Sequence, residues 1–175
     1  MKLETLRLVL KGINENHTED ILKIRSNPEL NKFVKRVSPK TNYDALQFIL
    51  TIKARIQSNQ TVYWGISLKD QPRLIGTICL WNFSEDRQTA EVGYELLPDF
   101  HRQGIMTEAL NAVLEYGFNE LHLQEIVAIT NKFNENSKGL LLKNHFILQE
   151  GKQGEGFPDN IIFSLQRAST SPDEI

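Results

Sequence analysis

The segment 125–130 constrains the fold of this chain more than any other. It reads Glu-Ile-Val-Ala-Ile-Thr, is rich in β-branched residues and shows no clear alternation of apolar and polar side chains. Such a run is typical of a strand buried on both faces of a sheet, with helices on each side. A helical pattern at 105–119 precedes it and another at 136–143 follows it. The second half of the chain is therefore predicted to form a β-α-β-α-β section.

The first half of the chain contains patterns of antiparallel strands. Alternating leucines predict a first strand at 3–11, and the turn residues at 70–72 separate strand patterns at 61–68 and 73–83. A fourth strand covers 89–97. The remaining predicted elements are a helix that ends near Asn27-Pro28, a helix at 42–57 and strands at 146–149 and 161–166. The predicted fold class is α/β, with a mixed, mostly antiparallel central sheet and helices on both faces.

Composition is consistent with one domain. The chain has 175 residues, of which 40% are apolar and 24% charged, and this is enough to bury a substantial core. A single domain is expected at 1–167. The last eight residues, 168–175, are mainly small and polar and include a proline, so a flexible tail is expected there. The net charge of −2 argues against a general nucleic-acid binder, and no direct nucleic-acid partner is predicted.

The cysteine, the histidines and the apolar runs of the sequence indicate where in the cell the protein is expected and whether it is expected to bind a metal. Cys79 is the single cysteine, so an intramolecular disulfide is impossible. No apolar run approaches the roughly 20 residues that span a bilayer, and the first residues lack the apolar core of a signal peptide. The expected location is the cytoplasm, with no membrane partner. The four histidines are not closely spaced with acids or cysteine, so no metal site is predicted.

The segment 92–110 carries the strongest chemical signal. A strand ends there, a short polar loop follows, and a helix begins at Gly104. The first turn of a helix has free N–H groups and the positive end of the helix dipole, and a glycine lets a bulky anion approach them. With Arg102 beside it, this loop is suited to bind a pyrophosphate. The spacing alone supports a second interpretation equally well, in which Gly104 only permits the turn and Arg102 is solvated.

The sequence His-Arg-Gln-Gly-Ile-Met-Thr-Glu-Ala-Leu at 101–110 resembles the acetyl-CoA-binding motif of the GNAT N-acetyltransferases. Within that family the chain is most similar to the ribosomal-protein N-terminal alanine/serine acetyltransferases. The resemblance extends over nearly the whole chain. The other matching segments are 4–8, 75–78, 90–94, 134–137 and 143–146.

This resemblance implies a donor and a site for it. Acetyl-CoA is the expected co-substrate, and the fourth and fifth strands, at 89–97 and 125–130, are expected to splay apart and admit its pantetheine arm. Main-chain amides near 95–97 would bond the arm as an added strand does, and one of them would meet the oxyanion. The residues expected to bind acetyl-CoA are Glu95, Leu96, Leu97, Arg102, Gln103, Gly104, Ile105, Met106, Thr107 and Asn134.

Two acids of the fourth strand are candidates for the general base. Glu91 and Glu95 fall on one face of the strand, which is unusual for a sandwiched strand unless that face opens into a cleft. Either could take a proton from the acceptor amine, directly or through water. Alternatively, both lie on a solvated end of the sheet. The resemblance favours Glu91 and adds Glu155, in the loop 151–156, as a second candidate.

Ser137 also has two open interpretations. The resemblance implies that it lies near the sulfur and protonates the departing thiolate. It is equally suited to cap its helix together with Asn134 or Asn136, which is the commoner use of such residues. Tyr94 is interpreted as a core residue rather than an acid. Cys79 has no adjacent base, which favours direct transfer in a ternary complex over an acyl-enzyme.

The predicted function is acetyl-CoA-dependent acetylation of a primary amine, with the α-amine of a protein N-terminus as the expected acceptor. The resemblance implies that this N-terminus belongs to a ribosomal protein. At pH 7 about a tenth of an α-amine is neutral, against about 0.04% of a lysine side chain. A site with a single carboxylate base therefore acts more easily on an α-amine. The alternatives are an enzyme for polyamines or drugs and a non-catalytic acyl-CoA-binding module. Both a monomer and a homodimer are compatible with the sequence.

Overall fold

The computed structural model describes residues 2–153 and 157–168, and within them the chain forms eight strands and five α-helices. In chain order these are β1 (Lys2–Glu4), β2 (Leu8–Lys11), α1 (Thr18–Arg25), α2 (Pro28–Asn31), α3 (Asn42–Gln57), β3 (Thr61–Leu68), β4 (Gly76–Trp81), β5 (Thr89–Leu96), α4 (Ile105–Asn119), β6 (Glu125–Asn131), α5 (Glu135–Lys143), β7 (Ile147–Gln153) and β8 (Asn160–Gln166). The predicted tail at 168–175 lies outside the described residues, apart from Ala168. In the described part of the chain, no helix is long and apolar enough to cross a bilayer.

All eight strands belong to one sheet, in the order β1-β2-β3-β4-β5-β6-β8-β7. Neighbouring strands are antiparallel except β5 and β6, which are parallel. The helical connection from β5 to β6 through α4 accounts for that exception, because parallel neighbours need a crossover. The prediction of a mixed, mostly antiparallel sheet is confirmed.

Helices cover both faces of the sheet, as predicted. On one face α4 buries an apolar stripe that includes Met106, Leu110 and Val113, which belongs to the same core cluster as Ile78 and Leu80 of β4. On the other face α1 and α3 form a second cluster with Tyr63 of β3 and Leu74. The apolar residues of α4 recur at helical spacing and therefore form one wide apolar face. This face is buried when α4 packs on the sheet.

The parallel ladder between β5 and β6 is short. It joins only three pairs, from Thr89 and Glu125 to Glu91 and Val127. Both strands continue beyond it, but no pair among the described residues joins 92–96 of β5 to 128–131 of β6. The predicted fourth and fifth strands therefore splay apart, as expected.

Two local expectations are corrected, and one helix was not predicted. The predicted strand at 3–11 is divided by a turn at 5–7, in which the Thr5 hydroxyl accepts a hydrogen bond from the N–H of Leu8 at 3.0 Å. The helix predicted to end near Pro28 is confirmed, since α1 ends at Arg25. The sequence did not predict α2, which follows because the side chain of Asn27 caps a new helical turn. Strand β6 is fully buried on one face only; its other face is half-buried, so its β-branched composition overstated its burial.

Candidate functional site

A cavity of about 540 Å³ lies beside the diverging end of β5. One wall is formed by the start of α4 and by α5, and the opposite wall is formed by α2 and the residues that follow it. The predicted donor-binding residues that line the cavity are Glu95, Leu96, Arg102, Gly104, Ile105, Met106, Thr107 and Asn134. Ser137, a predicted catalytic residue, lines it as well.

Two of the predicted donor-binding residues do not line the cavity. Leu97 is buried in the core, and its N–H donates to the carbonyl of Ile75 at 2.9 Å, since it continues the ladder between β4 and β5. Gln103 is absent from the cavity lining, and its side-chain amide donates to the carbonyl of Asp99 at 2.8 Å. The N–H of Leu97 is therefore already engaged, and binding of acetyl-CoA by these two residues stays a prediction.

The hydrogen-bonding direction alternates along β5 and decides which main-chain groups face the gap. The N–H of Leu97 donates to the carbonyl of Ile75, which precedes β4. The main-chain groups of Glu95, two residues earlier, therefore also point towards β4. Tyr94 and Leu96 then direct their N–H and C=O groups to the side from which β6 has diverged. The imidazole Nε2 of His101 lies 2.6 Å from the Leu96 carbonyl oxygen. The exposed main-chain donors at the gap are therefore those of Tyr94 and Leu96, and the predicted amides of Glu95 and Leu97 are not.

The loop before α4 has the backbone of an anion site. Gly104 has a φ of 72°, and Arg102 before it has a φ of 59°. The N–H of Glu108 is the first to bond within the helix, to the carbonyl of Gly104, so the N–H groups of 105–107 have no helical partner. A Cβ built on Gly104 would meet only the Nη2 of Arg7 within 4 Å, at 3.5 Å. Gly104 thus permits the turn and also leaves space in front of these amides.

A brace that the sequence did not reveal holds this loop. The N–H and the Nε of Arg7 donate to the two carboxylate oxygens of Glu108 at 2.8 and 2.7 Å, and its Nη1 donates to the Gln103 carbonyl at 2.9 Å. Burial tends to raise the pKa of Glu108, but hydrogen bonds from Thr5 and Arg7 outweigh it and hold that pKa below its ordinary value. Arg7 belongs to the segment 4–8, which resembles the family. Local spacing does not reveal that Arg7 contacts Glu108, because the two residues are far apart in the chain.

Tyr94 and Ser137 form a hydroxyl pair on the cavity wall, with oxygen atoms 2.8 Å apart. The cap of α5 is Asn134, whose side-chain oxygen accepts from the N–H of Ser137 at 3.1 Å. The hydroxyl of Ser137 is therefore not the cap. Burial raises the pKa of Tyr94 to about 12, so its phenol stays protonated at neutral pH. Tyr94 was interpreted as a core residue; its position at the splayed end of β5 is the signal that it could face a ligand.

The candidate bases differ sharply in their surroundings. Glu95 lines the cavity and pairs with Arg25, at 3.3 Å, and with Arg36. Glu91 is 8% exposed and lies outside the cavity lining, where its nearest polar partner is the Nδ2 of Asn82 at 3.5 Å. Burial raises the pKa of Glu91, and the contact with Asn82 lowers it by less. Neither acid lies on a solvated end of the sheet, so that alternative is wrong; Glu155 is outside the described residues.

Cys79 is unsuited to form an acyl-enzyme. Burial raises the pKa of its thiol to about 12, and its Sγ would lie 3.3 Å from a Cβ built on Gly93. A thiol that stays protonated is a poor nucleophile. In the part of the chain that the structure describes, no three His, Cys, Asp or Glu side chains come together as metal ligands do.

Known proteins resemble this chain in sequence or in fold. The family model described as "Acetyltransferase (GNAT) domain" matches residues 7–147. The uncharacterized N-acetyltransferase YoaA of Bacillus subtilis is 33% identical over 168 residues, which cover 93% of this chain and 95% of that protein. The ribosomal-protein-S5-alanine acetyltransferase of Vibrio fischeri superposes with a TM-score of 0.82 at 21% identity, covering 98% of this chain and 100% of the other. RimL, a ribosomal L7/L12 alpha-N-protein acetyltransferase solved with coenzyme A, superposes with a TM-score of 0.82 at 15% identity, covering 95% and 98%.

Proposed function

Because the chain belongs to the GNAT family of acetyltransferases, we propose that it transfers an acetyl group from acetyl-CoA to the α-amine of a protein N-terminus. One observation carries this proposal: a single cavity contains the open N-terminus of α4, the free strand edge at Tyr94 and Leu96, and a hydroxyl pair. Acetyl-CoA supplies an acetyl group already activated as a thioester. The protein's own residues bind the donor, orient it and move protons.

The cavity has the features that acetyl-CoA needs. The N–H groups of 105–107 and the guanidinium of Arg102 suit a pyrophosphate. The main-chain N–H groups of Tyr94 and Leu96 and the carbonyl of Tyr94 suit the amides of the pantetheine arm, which would occupy the place of a missing strand. The carbonyl of Leu96 already contacts His101. The volume of about 540 Å³ is in the usual range for a small-molecule site. An N–H from the same strand edge is suited to stabilise negative charge on the thioester oxygen during transfer.

The base is proposed to be Glu91, acting through water. A buried carboxylate with a raised pKa binds protons more readily than an ordinary one, which suits proton removal near neutral pH. Glu95 lines the cavity, but Arg25 and Arg36 already bind its carboxylate oxygens. Glu95 is therefore better suited to hold these two arginines in place than to accept a proton. Glu155 remains the second candidate for the base.

Ser137 is proposed to donate a proton to the departing thiolate. Its hydroxyl is free of capping and hydrogen-bonded to the Tyr94 phenol, which can replace the proton that leaves. Cys79 is a protonated, half-buried thiol, and this supports direct transfer in a ternary complex. The chemistry then needs one base, one acid and one oxyanion donor, all from the chain itself.

The proposed acceptor is supported by two lines of argument. Two structural neighbours are named for acetylation of ribosomal proteins, and an α-amine loses its proton more easily than a lysine does. We accordingly expect the enzyme to meet its acceptor in the cytoplasm, where ribosomal proteins are made.

The test is the release of coenzyme A from acetyl-CoA in the presence of different amines. The panel contains short peptides that begin with Ala or Ser, the same peptides with a blocked N-terminus, spermidine and an aminoglycoside. We expect turnover of the free peptides and none of the blocked ones. Turnover of spermidine or the aminoglycoside without any peptide would contradict the proposed acceptor. Binding of acetyl-CoA without turnover of any amine would instead favour a non-catalytic module.

A further inference from the structure

The wall of the cavity opposite α4 is unusually basic for this chain. Between residues 23 and 40 the sequence has six cationic residues and one acid, although the whole chain has a net charge of −2. The six cations are Lys23, Arg25, Lys32, Lys35, Arg36 and Lys40. The one acid is Glu29, which lines the cavity.

Four of these cations are here called the cationic wall: Arg25, Lys32, Lys35 and Arg36. Arg25 and Arg36 pair with Glu95, which lines the cavity, and Lys35 precedes Arg36 in the chain. Lys32 lines the cavity directly. The Nζ of Lys35 lies 5.1 Å from the centre of the Phe157 ring, just before β8. Within residues 2–153 and 157–168, neither lysine is in a salt bridge.

The charges of the wall do not cancel. Arg25 and Arg36 both pair with the single carboxylate of Glu95, and their side chains are only 17% and 14% exposed. Partly buried charges are screened less by salt than exposed ones. Within the residues that the structure describes, this wall has four cations and the two carboxylates of Glu29 and Glu95. The field at this wall favours an anionic ligand and opposes a polycation.

The opposite wall already has the features that bind the donor: the helix N-terminus, Arg102 and the strand edge. The cationic wall is then left for the other substrate. We infer that the acceptor is an acidic N-terminus, a polypeptide with Asp or Glu within the first few residues after its α-amine. This inference rests on the proposed function and narrows it. It also argues against spermidine and aminoglycosides, which are polycations.

Three peptides of equal length test the inference at saturating acetyl-CoA: one acidic, one neutral and one basic after a common N-terminal Ala. The acidic peptide is expected to have a kcat/KM about tenfold above that of the basic one, equivalent to about 1.4 kcal/mol. The difference should lie mainly in KM and should shrink at high ionic strength, because it is electrostatic.

A charge-reversed enzyme tests which residues are responsible. The double variant Lys32→Glu/Lys35→Glu is expected to lose the preference for the acidic peptide. Lys23→Glu is the matched control: Lys23 is exposed on α1 and does not line the cavity, so this variant should keep the preference. Thermal unfolding of both variants checks that the fold is retained. The KM for acetyl-CoA is measured separately, since the donor is itself an anion.

Three results would overturn the inference while leaving an N-terminal acetyltransferase intact. The first is equal kcat/KM for the three peptides, and the second is a preference for the basic one. The third is a double variant with an increased KM for acetyl-CoA and an unchanged peptide preference, because the wall would then serve the donor. Turnover of spermidine with no turnover of any peptide would instead reject the proposed function itself.

Discussion

Arg7 and Glu108 are 101 positions apart in the chain and are joined by two hydrogen bonds, from the main-chain N–H and the Nε of Arg7. The same guanidinium donates to the carbonyl of Gln103. It thus holds the residue just before Gly104 and a residue of the first helical turn after it. The shape of the proposed pyrophosphate site therefore depends on a turn at the start of the sheet.

Replacement of Arg7 by Ala should weaken acetyl-CoA binding more than it weakens the fold. Loss of the brace frees the loop, and we expect about a tenfold increase in Kd, equivalent to about 1.4 kcal/mol. The free energy of unfolding should fall only by the 0.2–1 kcal/mol that is roughly typical of exposed ion pairs, because the Arg7 side chain is 43% exposed. Calorimetric titration with coenzyme A measures the first effect. Lys53→Ala, which breaks an exposed pair with Glu15, is the control and should leave Kd unchanged.

Gly104→Val should nearly abolish donor binding. The valine side chain would enter the space in front of the free N–H groups, and the positive φ would cost about 1–2 kcal/mol of stability. Gly12→Val is the matched control, because nothing lies within 4 Å of a Cβ at Gly12. A folded Gly104→Val protein that bound coenzyme A normally would show that the pyrophosphate lies elsewhere.

Glu91→Gln should change both stability and the pH dependence of catalysis. Burial raises the pKa of Glu91, so ionisation disfavours the folded state, and wild-type stability falls as the pH rises through that raised pKa. The variant should therefore be more stable than wild type at pH 8 and lose this advantage at acidic pH, where both are uncharged. Thermal unfolding across pH measures it, with the exposed Glu115→Gln as control.

The same Glu91→Gln variant tests the proposed base. We expect kcat to fall far more than the affinity for acetyl-CoA, with loss of the acidic limb of the pH–rate profile, because proton removal belongs to the transition state. An unchanged profile would remove Glu91 as the base. Glu95→Gln and Glu155→Gln would then be compared in the same assay.

Ser137→Ala should lower kcat at least about tenfold with little change in melting temperature, because a positioned acid typically contributes more than that. Its hydroxyl contacts Tyr94, and its N–H, which receives the cap, is retained in the variant. Tyr94→Phe should have a smaller effect of the same kind. Asn134→Ala should instead cost about 1 kcal/mol of stability as a lost cap. Reduced stability with intact turnover in Ser137→Ala would assign Ser137 a structural role.

Local sequence patterns predicted the elements well and their contacts poorly. The helices at 42–57 and 105–119 match the structure, because each repeats its apolar residues over several turns. The alternating leucines near the start wrongly predicted one continuous strand at 3–11, since Leu6 is 86% exposed in the turn between β1 and β2. The brace of Arg7, the Tyr94–Ser137 pair and the arginines on Glu95 join residues that are distant in the chain. Such contacts depend on the assembled sheet, so spacing could suggest the residues and not their partners.

The short ladder between β5 and β6 has a consequence for self-association. Unpaired strand edges are where sheets of separate molecules join and aggregate. Here the unpaired end of β5 lies beside a cavity walled by α4 and α5. The outermost strand β1 has only three residues, and β7 at the other margin is interrupted by a register shift. The unpaired end of β5 is therefore beside the cavity proposed for the donor, whereas the strands at the two margins of the sheet are short or irregular.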